Sequence, residues 1–108
     1  MFSSSGAGPR RRVLDGIDMT PLAWGAQSIL VRFDLQQGSA IPSHHHPHEQ
    51  TGMLVSGRLR LTIGDDTVEA GAGASWSIPG DVPHAAEALS DCVAVELFTP
   101  LREDYLPK

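Results

Sequence analysis

His44-His45-His46-Pro47-His48-Glu49-Gln50-Thr51-Gly52-Met53-Leu54-Val55-Ser56-Gly57 decides how this chain is read. Four histidines fall within five positions, and a fifth, His84, closes the distant stretch Pro79-Gly80-Asp81-Val82-Pro83-His84. Neutral imidazole is the commonest protein metal ligand. On an extended backbone, His44 and His46 leave the same face, because side chains two apart share a side. A third histidine supplied by the fold would complete a facial set of nitrogens around one ion. The run is internal and leads straight into the apolar Met53-Leu54-Val55, unlike a terminal affinity tag. An idle low-complexity loop would leave His84 unexplained.

Adjacent residues on a strand face opposite ways, so only one of Glu49 and Gln50 can join the histidines. Gln50 shares parity with His44 and His46 and is the favoured fourth ligand; Glu49 is the alternative. The choice sets the charge. Three imidazoles and an amide oxygen leave the full +2 on a divalent ion, and a glutamate would cancel half of it. Zinc, nickel, manganese, iron, cobalt and copper all suit such a mixed nitrogen and oxygen set. His45 has the wrong parity and is expected to face outward. His48 follows Pro47 in a loop and is read as a surface residue, with a ligand or supporting role as its alternative.

The rest of the chain reads as strand, turn, strand. Ser28 to Leu35, Thr51 to Ser56, Arg58 to Ile63, Thr67 to Ala70, Ser75 to Ile78, His84 to Leu89 and Cys92 to Thr99 are the expected strands, separated by glycine-rich turns. Arg58-Leu59-Arg60-Leu61-Thr62-Ile63 alternates polar and apolar residues with period two, the mark of a half-buried strand. Asp15 to Met19 is expected to form a single helical turn. Regularly spaced short strands imply an all-β sandwich or barrel.

With 108 residues and 41% apolar content, the chain fits one domain with a packed core. Residues 1–12 are expected to be a flexible arm, and 13–108 the domain. The formal charge of −5 disfavours nucleic acid and anionic membranes as partners. The one basic run, Arg10-Arg11-Arg12, lies in the arm and is expected to be solvated. No apolar run approaches the roughly 18 residues of a membrane span, and no apolar segment follows the arginines as in an export signal. The expected compartment is the cytoplasm. Cys92 is the single cysteine and reads as a small core residue.

Two motifs in register resemble the cupin family. Gly38, His44, His46, Gln50 and Gly57 fall on its first motif, and Gly73, Pro79 and His84 on its second, over about Leu30 to Thr99. The resemblance implies a double-stranded β-helix, the jelly-roll cupin barrel, with one divalent metal bound inside and usually a homodimer. The tail, Glu96-Leu97-Phe98-Thr99-Pro100-Leu101-Arg102-Glu103-Asp104-Tyr105, resembles the ending of KdgF-type cupins, which linearise 4,5-unsaturated monouronates from pectin and alginate breakdown. That resemblance implies a metal on His44, His46, Gln50 and His84, with Glu96, Phe98 and Arg102 as the catalytic set. Glu96 stands where those enzymes usually carry aspartate.

Residue chemistry fits those roles. Glu96 and Phe98 share a strand face, so the acid could move a proton beside an apolar wall. Arg102 could hold a substrate carboxylate bidentately. The bland alternatives are a solvated Glu96–Arg102 rim pair and an ordinary core Phe98. Arg60 either points inward as a second clamp or outward to solvent, and Trp76 reads as core. The expected partner is a small anionic substrate. The rival functions are another metal-dependent lyase, isomerase or cyclase, a dioxygenase, and a non-catalytic small-molecule-binding cupin.

Overall fold

A computed structural model describes residues 1–6 and 8–107. Ten strands follow in chain order: β1 (Arg11–Leu14), β2 (Ile17–Trp24), β3 (Ile29–Leu35), β4 (Ala40–His44), β5 (Glu49–Ser56), β6 (Leu59–Ile63), β7 (Asp66–Ala70), β8 (Ser75–Ile78), β9 (His84–Ala88) and β10 (Cys92–Thr99). One short 3-10 turn, Glu103–Tyr105, follows. The strands form two antiparallel sheets, ordered β1-β2-β3-β10-β5-β8 and β4-β9-β6-β7. This is the all-β jelly roll. No helix among the described residues is long and apolar enough to cross a membrane.

Strand alternation builds the core. Ile29, Val31, Phe33 and Leu35 of β3 are buried, as are Cys92, Ala94, Glu96 and Phe98 of β10. Glu96 is thus the one acid in an otherwise apolar or aromatic buried row. It is also the one buried acid among the described residues. Cys92 is a free, buried core thiol.

Three expectations change. Asp15 to Met19 is not helical: Asp15 and Gly16 make the tight turn between β1 and β2, with Leu14 opposite Ile17. An Asp-Gly pair between apolar residues is a hairpin signal, and Ile17 and Met19 are both fully buried on alternate positions. Strand order begins at Arg11, inside the stretch expected as an arm. The basic run is accordingly engaged rather than merely solvated. Arg10 and Arg12 pair with Asp18 at 2.8 and 2.7 Å, and Arg11 donates to the backbone carbonyls of Asp104 and Leu106. Lastly, β4 gives the first histidines a sheet partner, since His44 lies opposite His84 on β9.

Candidate metal centre and cavity

The two histidine-bearing stretches are locked together by their loops. Asp81 N–H donates to the His46 carbonyl at 2.7 Å. Gly80 lies so close to the Pro47 carbonyl that an added Cβ would sit 2.5 Å from its oxygen. Only glycine permits that approach. The result brings His44, His46 and His84 together, with candidate ligand atoms within 4.8 Å of one another. His45 is exposed, and Glu49 is exposed while Gln50 is buried. The His48 side chain is outside this group, but its carbonyl accepts from the His46 ring.

Each of the three rings is oriented by a carbonyl two residues away. His44 Nδ1 meets the Pro42 carbonyl at 3.0 Å, His46 Nδ1 that of His48 at 3.0 Å, and His84 Nδ1 that of Val82 at 2.9 Å. A carbonyl only accepts, so the network assigns the hydrogen to Nδ1 and the free lone pair to Nε2 in every ring. Burial lowers the pKa of His46 and of His84, nearby cationic groups push the same way, and the hydrogen bonds to their rings oppose the shift. His84 Nε2 is buried with no hydrogen-bond partner among the described residues.

Gln50 completes the arrangement. Its Nε2 donates to Glu96 Oε2, which turns Oε1 toward the histidines, 3.1 Å from His46 Nε2. With the hydrogen assigned to Nδ1, both atoms at this contact are acceptors. A cation relieves their repulsion and also satisfies the orphaned His84 nitrogen. The donor set thus fits a divalent metal, which His44, His46 and His84 could hold through Nε2 and Gln50 through Oε1.

Glu96 sits behind Gln50 with both oxygens engaged. Trp76 Nε1 donates to Oε1 at 2.9 Å. Burial pushes the Glu96 carboxyl up to about 7, against the opposing pull of the Trp76 and Gln50 N–H groups and of Arg102. Gly52 makes this contact possible. It pairs with Trp76 on β8 and Glu96 on β10, and an added Cβ would lie 2.6 Å from Trp76 Nε1 and 2.8 Å from Glu96 Cγ. Trp76 is therefore a polar partner of the site as well as a packing residue, which its strand position alone did not reveal.

The tail closes one end. Arg102 is bidentate to Asp104 at 3.2 and 2.7 Å and lies 3.9 Å over the Tyr105 ring and 5.2 Å from that of Phe98. Its side chain is only 15% exposed, so it is no freely solvated rim residue. Phe98 is both core and cavity wall, 1% exposed and 6.0 Å from the His46 ring. Tyr105, in the tail, also lines the cavity, and burial raises its pKa. Arg60 points outward, paired with Glu69 and Glu87 at 3.3 and 3.1 Å.

His44, Gln50, Trp76, His84, Glu96, Phe98, Arg102 and Tyr105 line one cavity of about 440 Å³. Register divides it into tiers. On one sheet Phe98, paired with Gln50, is followed by Glu96 and then Ala94; on the other His84, paired with His44, is followed by Ala86 beside Leu61 and then by Leu59. The exposed wall residues Leu14, Pro42, Ser43 and His44 belong to β1 and β4 or the turn beside them, at the edges of the two sheets. The cavity opens between those edges.

The family described as the cupin domain matches residues 31–99. The chain belongs to the cupin family. This cupin is similar in structure to an RmlC-like cupin from Shewanella frigidimarina, at 23% identity over 97% of this chain and 95% of that one, with a TM-score of 0.92. It is also similar to KdgF from Halomonas sp., at 25% identity over 98% of each chain, with a TM-score of 0.91. The polyketide cyclase RemF from Streptomyces resistomycificus matches at 21% identity over 78% of this cupin and 65% of its own chain, with a TM-score of 0.71. No curated protein sequence matches significantly.

Proposed function

We propose that this cupin is a metal-dependent lyase- or isomerase-type enzyme that moves a proton on a small carboxylated substrate. One observation carries the reading: the one buried acid among the described residues, Glu96, shares a cavity wall with converging histidine donors. A divalent ion held there would polarise a substrate oxygen with its full charge, since every proposed ligand is neutral. Gln50 and Trp76 orient the Glu96 carboxyl toward one geometry. Phe98 supplies a dry wall beside it. Arg102, already stacked on Tyr105, offers its guanidinium to a substrate carboxylate in competition with Asp104.

Within that class, the Glu96, Phe98 and Arg102 set and the likeness to KdgF favour ring opening of a 4,5-unsaturated monouronate. The anomeric hydroxyl gives up its hydrogen as its carbon–oxygen bond becomes a carbonyl, the bond from that carbon to the ring oxygen breaks to leave an enolate, and the enolate gains the hydrogen at carbon, so the linear ketone is an isomer of the ring. Glu96 carries the hydrogen. The longer glutamate fits in place of aspartate because Gly52 leaves room for its extra methylene beside Trp76. A second reading, action on a less polar acid, is favoured by the cavity wall beyond Glu96.

The test is metal-loaded protein with an unsaturated monouronate, followed by loss of the substrate's ultraviolet absorbance. Turnover is expected in the wild type, with a loss of about 100-fold or more in Glu96→Gln at unchanged metal content. Equal turnover in the variant removes Glu96 as proton carrier. Tight binding without turnover in the wild type makes the protein a binding cupin.

A further inference from the structure

Past Glu96 the character of the cavity changes. Ile17, Leu35, Leu59, Leu61, Ala86 and Ala94 wall it from the tier of Glu96 to the end away from the histidines, and none carries a hydrogen-bonding side chain. Their backbone groups are largely committed to the ladders of β2, β3, β6, β9 and β10. Of the polar wall groups, His44, Gln50, Trp76, His84 and Glu96 lie at the first two tiers, Ser43 precedes His44 on β4, and Arg102 and Tyr105 belong to the tail beyond Phe98. A ring carrying hydroxyls on every carbon can be matched at those tiers. Beyond them, a hydroxyl would find no side-chain partner on these walls. At about 440 Å³, the whole space falls within the range of roughly 300–1,000 Å³ that suits drug-sized ligands.

We propose that this apolar chamber is a second subsite, through which the site also takes organic acids bearing a hydrocarbon or aromatic arm. The acid end lies among the histidines and Glu96, and the arm passes Glu96 into the chamber. This assignment rests on the reading of the histidine end as the reaction centre. It names a substrate class distinct from the monouronates.

Calorimetric binding of straight-chain carboxylates from butanoate to decanoate to the zinc-loaded full chain tests it, with galacturonate as the hydroxylated comparison. Affinity is expected to climb roughly fourfold per methylene, the yield of burying each one, and then to level off when the chamber is full. Ala86→Leu, which fills the chamber, should bring the plateau forward to a shorter acid at unchanged zinc stoichiometry. Ala94→Val is the second variant should Ala86→Leu not fold, and the wild-type series needs neither. A flat series with tighter galacturonate binding overturns the proposal while leaving the metal reading intact. Conversely, a climbing series in protein that fails to take up zinc retains the chamber and removes the metal reading.

Discussion

His44, His46 and His84 are oriented by short-range contacts, whereas Gln50, Glu96 and Trp76 are oriented only by one another. Each imidazole leans on a carbonyl two residues away, a bond any local stretch of chain can form. Gln50 instead reaches Glu96 across 46 residues of sequence, and Trp76 reaches it across 20. The difference predicts how damage spreads. Loss of one histidine should be confined to the metal, because its neighbours keep their own carbonyls. A change in the network should propagate from Trp76 through Glu96 to the Gln50 oxygen.

The largest effect is expected from His84→Ala. Its Nε2 has no hydrogen-bond partner among the described residues, so metal affinity should fall by more than the roughly 10–100-fold that losing a supporting residue costs. Metal analysis after gel filtration measures this, and stoichiometric metal in the variant would remove His84 from the ligand set. Next comes Glu96→Ala, which frees the Gln50 amide to rotate. Chelator competition should show metal affinity weakened by about 10–100-fold although no ligand was touched. An unchanged affinity would mean that Gln50 holds its orientation by itself, erasing the contrast between the two groups.

Gly52→Ala sharpens the comparison. The new methyl group drives Trp76 and Glu96 apart at a crowded strand crossing, and urea unfolding should show about 1–3 kcal/mol of destabilisation. Metal affinity should fall with it, unlike the result of an ordinary packing defect remote from the site. The smallest effect belongs to Arg60→Ala. Its ion pairs with Glu69 and Glu87 are exposed, so stability should change by no more than about 1 kcal/mol and metal binding not at all. A marked fall in metal binding would show that the outer sheet face couples to the cavity.

Much of the site was legible because period two is a rigid rule. Parity separated buried Gln50 from exposed Glu49 on β5 and placed Glu96 in one row with Phe98 on β10, whereas the bend at residues 45–48 lies outside that rule. The Asp15-Gly16 hairpin was legible too, and its reading as a helical turn neglected a turn signature flanked by apolar residues. Arg60 was not decidable in isolation: alternation gives two faces, and which one is inner depends on where the second sheet lies. Trp76 shows a further limit. Its bond to Glu96 exists because β8, β5 and β10 are neighbours in one register with a glycine between them, and no single strand carries that information.

By itself, the order of residues determined the strand rhythm, the ligand-bearing stretches and the faces their side chains take, since those follow from backbone geometry and local turn chemistry. Only the tertiary structure decided that two acceptors meet between His46 and Gln50, that Glu96 is held from both sides, and that an apolar chamber lies beyond it. Such features are distances between parts far apart in the chain. They come into being when the two sheets pack.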